Sequence, residues 1–241
     1  MNRLRQFWHY TNKVFRLPAR LRGIRDHRSQ PEIPTRGFSA SLVLGAVVRV
    51  ASLLALQAQT GRRGWQRQVG WKAAISDDAF GDVLERYRLE DWRVVLVDIN
   101  RTLKANKALE AAQIHGLLVV ALDANEQFSR RCRCCPDCGQ RQLEVQDASG
   151  QTQTVTEYYH RQVYAQLHGP DCSVILDLEP IRPGEDEAAA APAAFGPDAA
   201  ALWAAVFRRG HRGCVVCHRS VSAGGAQAGL GRGERAQAAA V

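Results

Sequence analysis

The stretch LLVVALDANEQF, residues 117–128, decides the fold because it is an apolar run that ends in an acid and continues with polar residues. Its length and its β-branched residues predict a buried strand whose exposed end carries Asp123. A carboxylate on a rigid strand can bind Mg²⁺ without the ordering of a loop, and metal-dependent phosphoryl-transfer sites use this arrangement. The alternative is a core strand followed by an ordinary turn.

The residues after this stretch predict further strands. Three apolar or β-branched segments are separated by turns at 147–150 and 168–171, and they cover residues 142–146, 155–167 and 173–178. Short loops between strands predict antiparallel hairpins. The polar segment 179–187 then predicts the entry into a helix.

The residues before the stretch predict helices. We expect an apolar helix over 39–59, a helix over 79–87 capped by Ser76, and another over 91–109. The predicted fold class is therefore α/β, with a helical region over 37–112 in front of the strands.

The first 36 residues predict a basic arm. Arginines and one lysine alternate there with aromatic residues, and the chain has a net charge of +8, which favours a polyanionic partner such as DNA. The candidate DNA-binding residues are Arg16, Arg20, Arg22 and Arg25. Guanidinium groups beside aromatic rings suit phosphate contact and base stacking. A solvated amphipathic helix is the equal alternative.

The chain has seven cysteines, and several of them are clustered. No secretory signal or bilayer-spanning segment is recognisable, so we predict a cytoplasmic protein with reduced thiols and no membrane partner. Cys135 and Cys138 have the spacing of a zinc knuckle, for which Cys132 or His160 could supply further ligands. The alternative is a turn with cysteines that bind no metal.

The sequence changes character after residue 187. Residues 188–241 are rich in alanine, glycine and arginine, and their acids are Asp198 and Glu234. Such a segment buries little apolar surface, so we expect a low-complexity tail of low order. Its Cys-Val-Val-Cys-His run, residues 214–218, allows either two further zinc ligands or the attachment pattern of c-type haem.

Six short motifs occur in a characteristic order: Ser76-Asp-Asp78, Leu103-Lys-x-x-Lys-x-Leu109, Val120-Ala-Leu-Asp123, Cys135-Pro-x-Cys138, Tyr158-Tyr-His160 and Asp177-Leu-Glu-Pro-Ile-Arg-Pro-Gly-Glu-Asp-Glu187. In this order they resemble the insertion-sequence transposases with a DDE-type, RNase H-like catalytic core, over about residues 16–187. The resemblance implies a mixed sheet that begins with antiparallel strands and continues with helices and parallel strands. It also implies DNA-strand cleavage and transfer by three acids and two Mg²⁺ ions.

By this resemblance Asp123 is the first catalytic acid and a Mg²⁺ ligand, and residues 113–187 are part of the catalytic core. The DNA of insertion-sequence ends is the implied partner, and the family works as oligomers. The second acid of the family follows an apolar strand several tens of residues beyond Glu187, and the third lies in or before a later helix. Neither pattern occurs in 188–241.

We therefore expect a truncated, frameshifted and inactive copy of such a transposase. Read one base later, the codons of Arg219 and Ser220 can contain an aspartate codon. The alternative function is that of a non-enzymatic zinc-knuckle protein that binds nucleic acid through the basic arm and the site at Cys135 and Cys138.

Overall fold

The computed structural model describes residues 2–25, 27–28, 30–147, 150–186, 190, 214–218 and 238–240. The chain divides into two compact units, Met1–Thr102 and Leu103–Val241. The α/β class is confirmed, because helices come first along the chain and an antiparallel sheet follows. The division after residue 102 differs from the boundaries expected at 36, 112 and 187.

Helices make up the described part of the chain before the sheet. They are α1 Asn2–Phe15, α2 Leu17–Leu21, α3 Thr35–Val47, α4 Leu53–Thr60, α5 Arg63–Val69, α6 Asp77–Leu84 and α7 Leu89–Ala105, followed by a short 3-10 helix over Ala108–Ala112. As predicted, the Ser76 hydroxyl caps α6, where it accepts a hydrogen bond from the Ala79 N–H at 3.2 Å. None of the helices described is long and apolar enough to cross a membrane.

The predicted single helix over 39–59 is wrong, because α3 and α4 are separate helices. Arg49 takes a left-handed conformation with φ of 55°, which ends the first helix. The Ser52 hydroxyl then accepts a hydrogen bond from the Ala55 N–H at 3.1 Å and starts the second. The apolar pattern alone did not reveal this break.

The N-terminal helices belong to the core of the helical unit. Trp8 on α1 and Leu17 and Leu21 on α2 are buried in the same cluster as Phe38 and Phe80, whose rings meet edge to face at 5.3 Å. The segment predicted as a basic arm is therefore folded as helices that bury apolar side chains, and its contact with DNA stays a prediction.

The second unit contains the predicted antiparallel hairpins. Its strands are β1 Leu118–Arg130, β2 Gly139–Gln146, β3 Thr152–His168 and β4 Ser173–Ile181. Along one edge β3 pairs with β1, and along its other edge it pairs first with β2 and then with β4. β5 Cys214–His218 runs parallel to β1, and β6 Ala238–Ala240 runs antiparallel to β5.

The predicted low-order tail and the predicted helix after residue 187 lie mostly outside the described residues. The exceptions are the backbone of β5 and β6, which joins the sheet beside β1, and Ala190.

One face of the sheet is apolar and buried. On β1 it presents Leu118, Val120 and Leu122, and on β3 it presents Val163, Ala165 and Leu167. This alternation is the period-2 pattern of a strand with one buried face. By contrast, most residues of β2 are exposed.

Candidate metal centre

Three cysteines of the turn between β1 and β2 lie close to a histidine of β3. The ligand atoms of Cys134, Cys135, Cys138 and His160 all lie within 4.8 Å of one another. The His160 Nε2 lies 3.2 Å from the Cys135 Sγ and 3.3 Å from the Cys138 Sγ. The Cys138 Sγ lies 3.3 Å from the Cys134 Sγ and 3.8 Å from the Cys135 Sγ.

Local backbone geometry brings these four side chains together. The three cysteines lie in the turn between β1 and β2, where the Cys138 N–H donates to the Cys135 carbonyl at 3.4 Å. β2 starts at Gly139, which pairs with Tyr159, and a Cβ built there would lie 2.7 Å from the Tyr159 ring, so the ring occupies the space that a side chain would need. The pairing of Gly139 with Tyr159 places the cysteine turn beside the centre of β3.

The position of His160 on β3 is also specific. β2 pairs with β3 as far as Tyr159, and β4 pairs with it from Arg161 onward, so His160 stands between the two pairings. On the opposite edge it faces Phe128 of β1, whose ring centroid is 5.0 Å from that of His160. The histidine is therefore fixed at the junction where β2 and β4 meet.

The arrangement fits a tetrahedral zinc ion. Zinc–sulfur bonds of about 2.3 Å and tetrahedral angles separate ligand sulfurs by about 3.8 Å, close to the separations seen here. Three thiolates and one imidazole are a common set for a closed, structural zinc site. A metal held by these four ligands would cross-link the β1–β2 turn to β3.

The sequence pattern predicts Cys135 and Cys138 as ligands and leaves the further ligands open between Cys132 and His160. The structure brings His160 into the cluster, whereas the exposed Cys132 is not a member. It also adds Cys134, which the spacing pattern missed because it directly precedes Cys135. Three cysteines within five residues were a signal that could have drawn attention to it.

The thiols of this cluster differ in acidity. Burial opposes ionisation of Cys138, but hydrogen bonds from the backbone of Cys134 and Cys135, and from the side chains of Cys134 and His160, outweigh it and lower the pKa of Cys138 to about 6. The hydrogen bond to Cys138 raises the pKa of Cys134 instead. Cys134 therefore keeps its proton and shares it with the Cys138 sulfur, and a bound metal would displace that proton.

Asp123 lies elsewhere on the sheet, and its predicted position at the end of a strand is wrong. β1 continues to Arg130, so Asp123 lies in mid-strand, where the burial of β1 stops after Leu122. Its side chain is exposed, and it pairs with Tyr164 of β3. Within the residues described, Asp123 belongs to no group of three metal-ligating side chains, so its surroundings there do not fit a two-metal site.

The candidate DNA-binding arginines have different environments. The Arg20 guanidinium donates to the Thr102 hydroxyl at 3.0 Å and forms an ion pair with Asp98 at 3.7 Å. Arg25 is paired with Asp91 at 3.1 Å. Arg16 and Arg22 are exposed.

The second cysteine pair of the sequence lies on β5. Cys214 is opposite Leu118 and Cys217 is opposite Ala121 in the parallel pairing with β1. The structure describes only the backbone at these two positions, so their predicted metal or haem ligation stays a prediction.

The described site is thus a set of soft ligands suited to zinc, held at the junction of β2, β3 and β4. No protein-family model, no curated protein and no solved structure matches this chain.

Proposed function

We propose that this chain is a cytoplasmic DNA-binding protein of the DDE transposase type that recognises insertion-sequence ends. The observation that carries the proposal is the antiparallel pairing of β1 with β3 and of β3 with β4. Antiparallel strands at the start of the core agree with what the sequence resemblance implies, and β1, β3 and β4 all lie before the tail that begins at residue 188.

The end of β5 bears on whether this chain can cleave DNA. His218 is the last residue of β5 and pairs with Leu122, directly before Asp123. In the family the second acid follows an apolar strand, and next to Asp123 is where two-metal chemistry would need it. In this chain the residue after the strand is Arg219.

DNA cleavage is not part of the proposal for this chain. Two-metal catalysis holds its ions about 3.5–4 Å apart between several carboxylates, and one carboxylate cannot do so. The acids after residue 187 are Asp198 and Glu234, and neither follows an apolar strand. We therefore propose binding of DNA ends without strand transfer, by a chain that associates with itself as transposases do.

DNA binding by the purified full chain tests this function. A labelled duplex taken from the DNA that flanks its gene should bind with an affinity that falls steeply with salt. With Mg²⁺ present, neither the wild-type chain nor Asp123→Asn should nick the duplex. Failure to bind DNA would overturn the function, whereas nicking that disappears in Asp123→Asn would overturn the proposed loss of catalysis.

Sequencing of the gene from codon 180 onward tests the family assignment separately. A shifted frame should encode an aspartate directly after the β5 codons and later a helix that carries a glutamate. The absence of both patterns from all three frames would count against a frameshifted transposase.

The metal centre favours a second candidate function. A chain with a Cys134, Cys135, Cys138 and His160 centre could act as a zinc-knuckle protein that binds nucleic acid without catalysis. Stoichiometric zinc, DNA binding that a chelator abolishes, and no shifted reading frame would together select this function over the first.

A further inference from the structure

A cavity of about 280 Å³ opens beside the metal centre. Three arginines line it, namely Arg133, Arg161 and Arg182, and Tyr159 and Cys138 contribute to its walls. The cavity lies where the start of β2 and the end of β4 meet along one edge of β3, and its lining includes Gly139, Tyr159 and Ile181.

Each arginine reaches the cavity from a different element. Arg161 lies on β3 and pairs with Ile181, so Arg182 follows directly at the end of β4. Arg133 belongs to the cysteine turn, where its guanidinium donates to the Cys135 carbonyl at 3.1 Å and to the Pro136 carbonyl at 2.8 Å. A metal in the neighbouring centre would fix the turn and Arg133 with it.

The charges around the cavity are mostly positive. Glu185 is the carboxylate in its lining, and it accepts a hydrogen bond from the Arg182 backbone N–H at 3.1 Å. The Arg161 guanidinium lies over the Tyr159 ring at 5.3 Å, and its Nε is buried with no hydrogen-bond partner among the residues described. A buried donor of this kind is costly unless a ligand satisfies it.

We propose that this cavity binds a phosphate group of a DNA backbone. The fork of an arginine matches the oxygens of a phosphate in geometry and charge, and the chain as a whole carries a net charge of +8. The inference rests on the proposed DNA binding and names a surface for it that lies outside the N-terminal helices.

The test uses the zinc-loaded full chain and a fluorescein-labelled duplex, with anisotropy measured over a series of salt concentrations. Arg161→Gln and Arg182→Gln should each weaken binding about tenfold and reduce the slope of log affinity against log salt by about 0.9, the value for one lost phosphate contact. Arg161→Lys should restore the slope, because it restores the charge.

Arg131→Gln is the matched control. Arg131 is exposed in the turn after β1, it does not line the cavity, and its loss removes the same charge. Its substitution should leave the salt slope unchanged. If Arg161→Gln does not fold, Arg182→Gln at the exposed end of β4 still decides the question.

A second titration with inorganic phosphate separates this inference from the proposed function. DNA binding whose slope is the same in the wild-type chain and both glutamine variants would overturn the inference and leave the function standing. Phosphate binding that needs Arg161, in a chain that does not bind DNA, would overturn both the DNA assignment of the cavity and the function. Binding of neither ligand would overturn both proposals as well.

Discussion

Cys132 and Cys134 are two residues apart, yet only Cys134 has its sulfur among the four clustered ligands. Cys135→Ser or His160→Ala should therefore abolish stoichiometric zinc binding, since each removes one of four ligands. The measurement is zinc content by elemental analysis together with the absorption of the cobalt-substituted chain. Cys132→Ser is the control and should keep one zinc per chain, and loss of zinc there would contradict the assigned ligands.

Arg25 and Asp91 form an ion pair whose contribution to stability depends on pH. Burial raises the pKa of Asp91, but the hydrogen bonds from Arg25 and its charge lower that pKa by more. The net effect places the pKa of Asp91 below the usual 3.8. A carboxyl whose pKa is lowered on folding stabilises the folded state above that usual value. The stabilisation is lost as the pH falls through the lowered pKa.

Asp91→Asn should therefore reduce the free energy of unfolding by about 0.5–1 kcal/mol at pH 7, because the partner Arg25 is largely exposed. The difference from wild type should shrink as the pH falls below the usual value of 3.8 and through the lowered pKa of Asp91. Urea unfolding at several pH values measures it. Asp82→Asn, exposed on α6, is the control, and an equal loss there would remove the argument for the pair.

Single residues also show where prediction from sequence ends. The apolar run before Asp123 correctly predicted a strand, because its length and its β-branched residues are local properties of the sequence. It could not predict that β1 would continue to Arg130, since the polar residues of that extension are held by pairing with β3. In the same way, His160 joins the cysteines only through the pairing of strands.

At the scale of the helix, the cap of α6 gives a direct test. Ser76→Ala removes the acceptor for the Ala79 N–H and should lower the free energy of unfolding by about 1 kcal/mol. Thermal or urea unfolding measures the loss. Ser76→Asp keeps a capping oxygen and should restore most of it, and a similar loss in both variants would show that the cap contributes little.

Helix and strand types were predictable, but some of their limits were not. The capping residue Ser76 and the turns between the strands were visible as local chemistry. The break between α3 and α4 was not visible. Arg49 adopts the left-handed conformation there, which glycine favours, and the sequence has no glycine at that position to indicate a break. The order β2-β3-β1 was equally invisible, since it depends on pairings between distant segments.

At the scale of the whole chain, removal of the metal should affect the two units differently. The described tryptophans, Trp8, Trp65, Trp71 and Trp92, lie within residues 1–102, so a Trp203→Phe variant reports on that unit by fluorescence. Zinc at a thousandfold excess over its Kd contributes about 4 kcal/mol. A chelator should therefore lower the unfolding temperature of the sheet by about 10 °C or more.

The unfolding temperature that fluorescence reports for residues 1–102 should not change when the chelator is added. Hydrogen exchange at the backbone amides of β1, β3 and β4 follows the other unit in the same samples. A chelator that shifts both transitions equally, or neither, would contradict a metal centre that stabilises the sheet unit alone.

The end-to-end meeting of β2 and β4 on β3 has a consequence for the order of folding. The β2–β3 and β3–β4 hairpins close short loops, whereas the pairing of β1 with β3 must close a loop that contains all of β2. Loop closure of this length carries an entropic cost that slows folding. A metal bound jointly by Cys135 and His160, which are 25 residues apart, would hold that loop closed. The chain would then join β1 to its sheet faster when it meets zinc before it has finished folding.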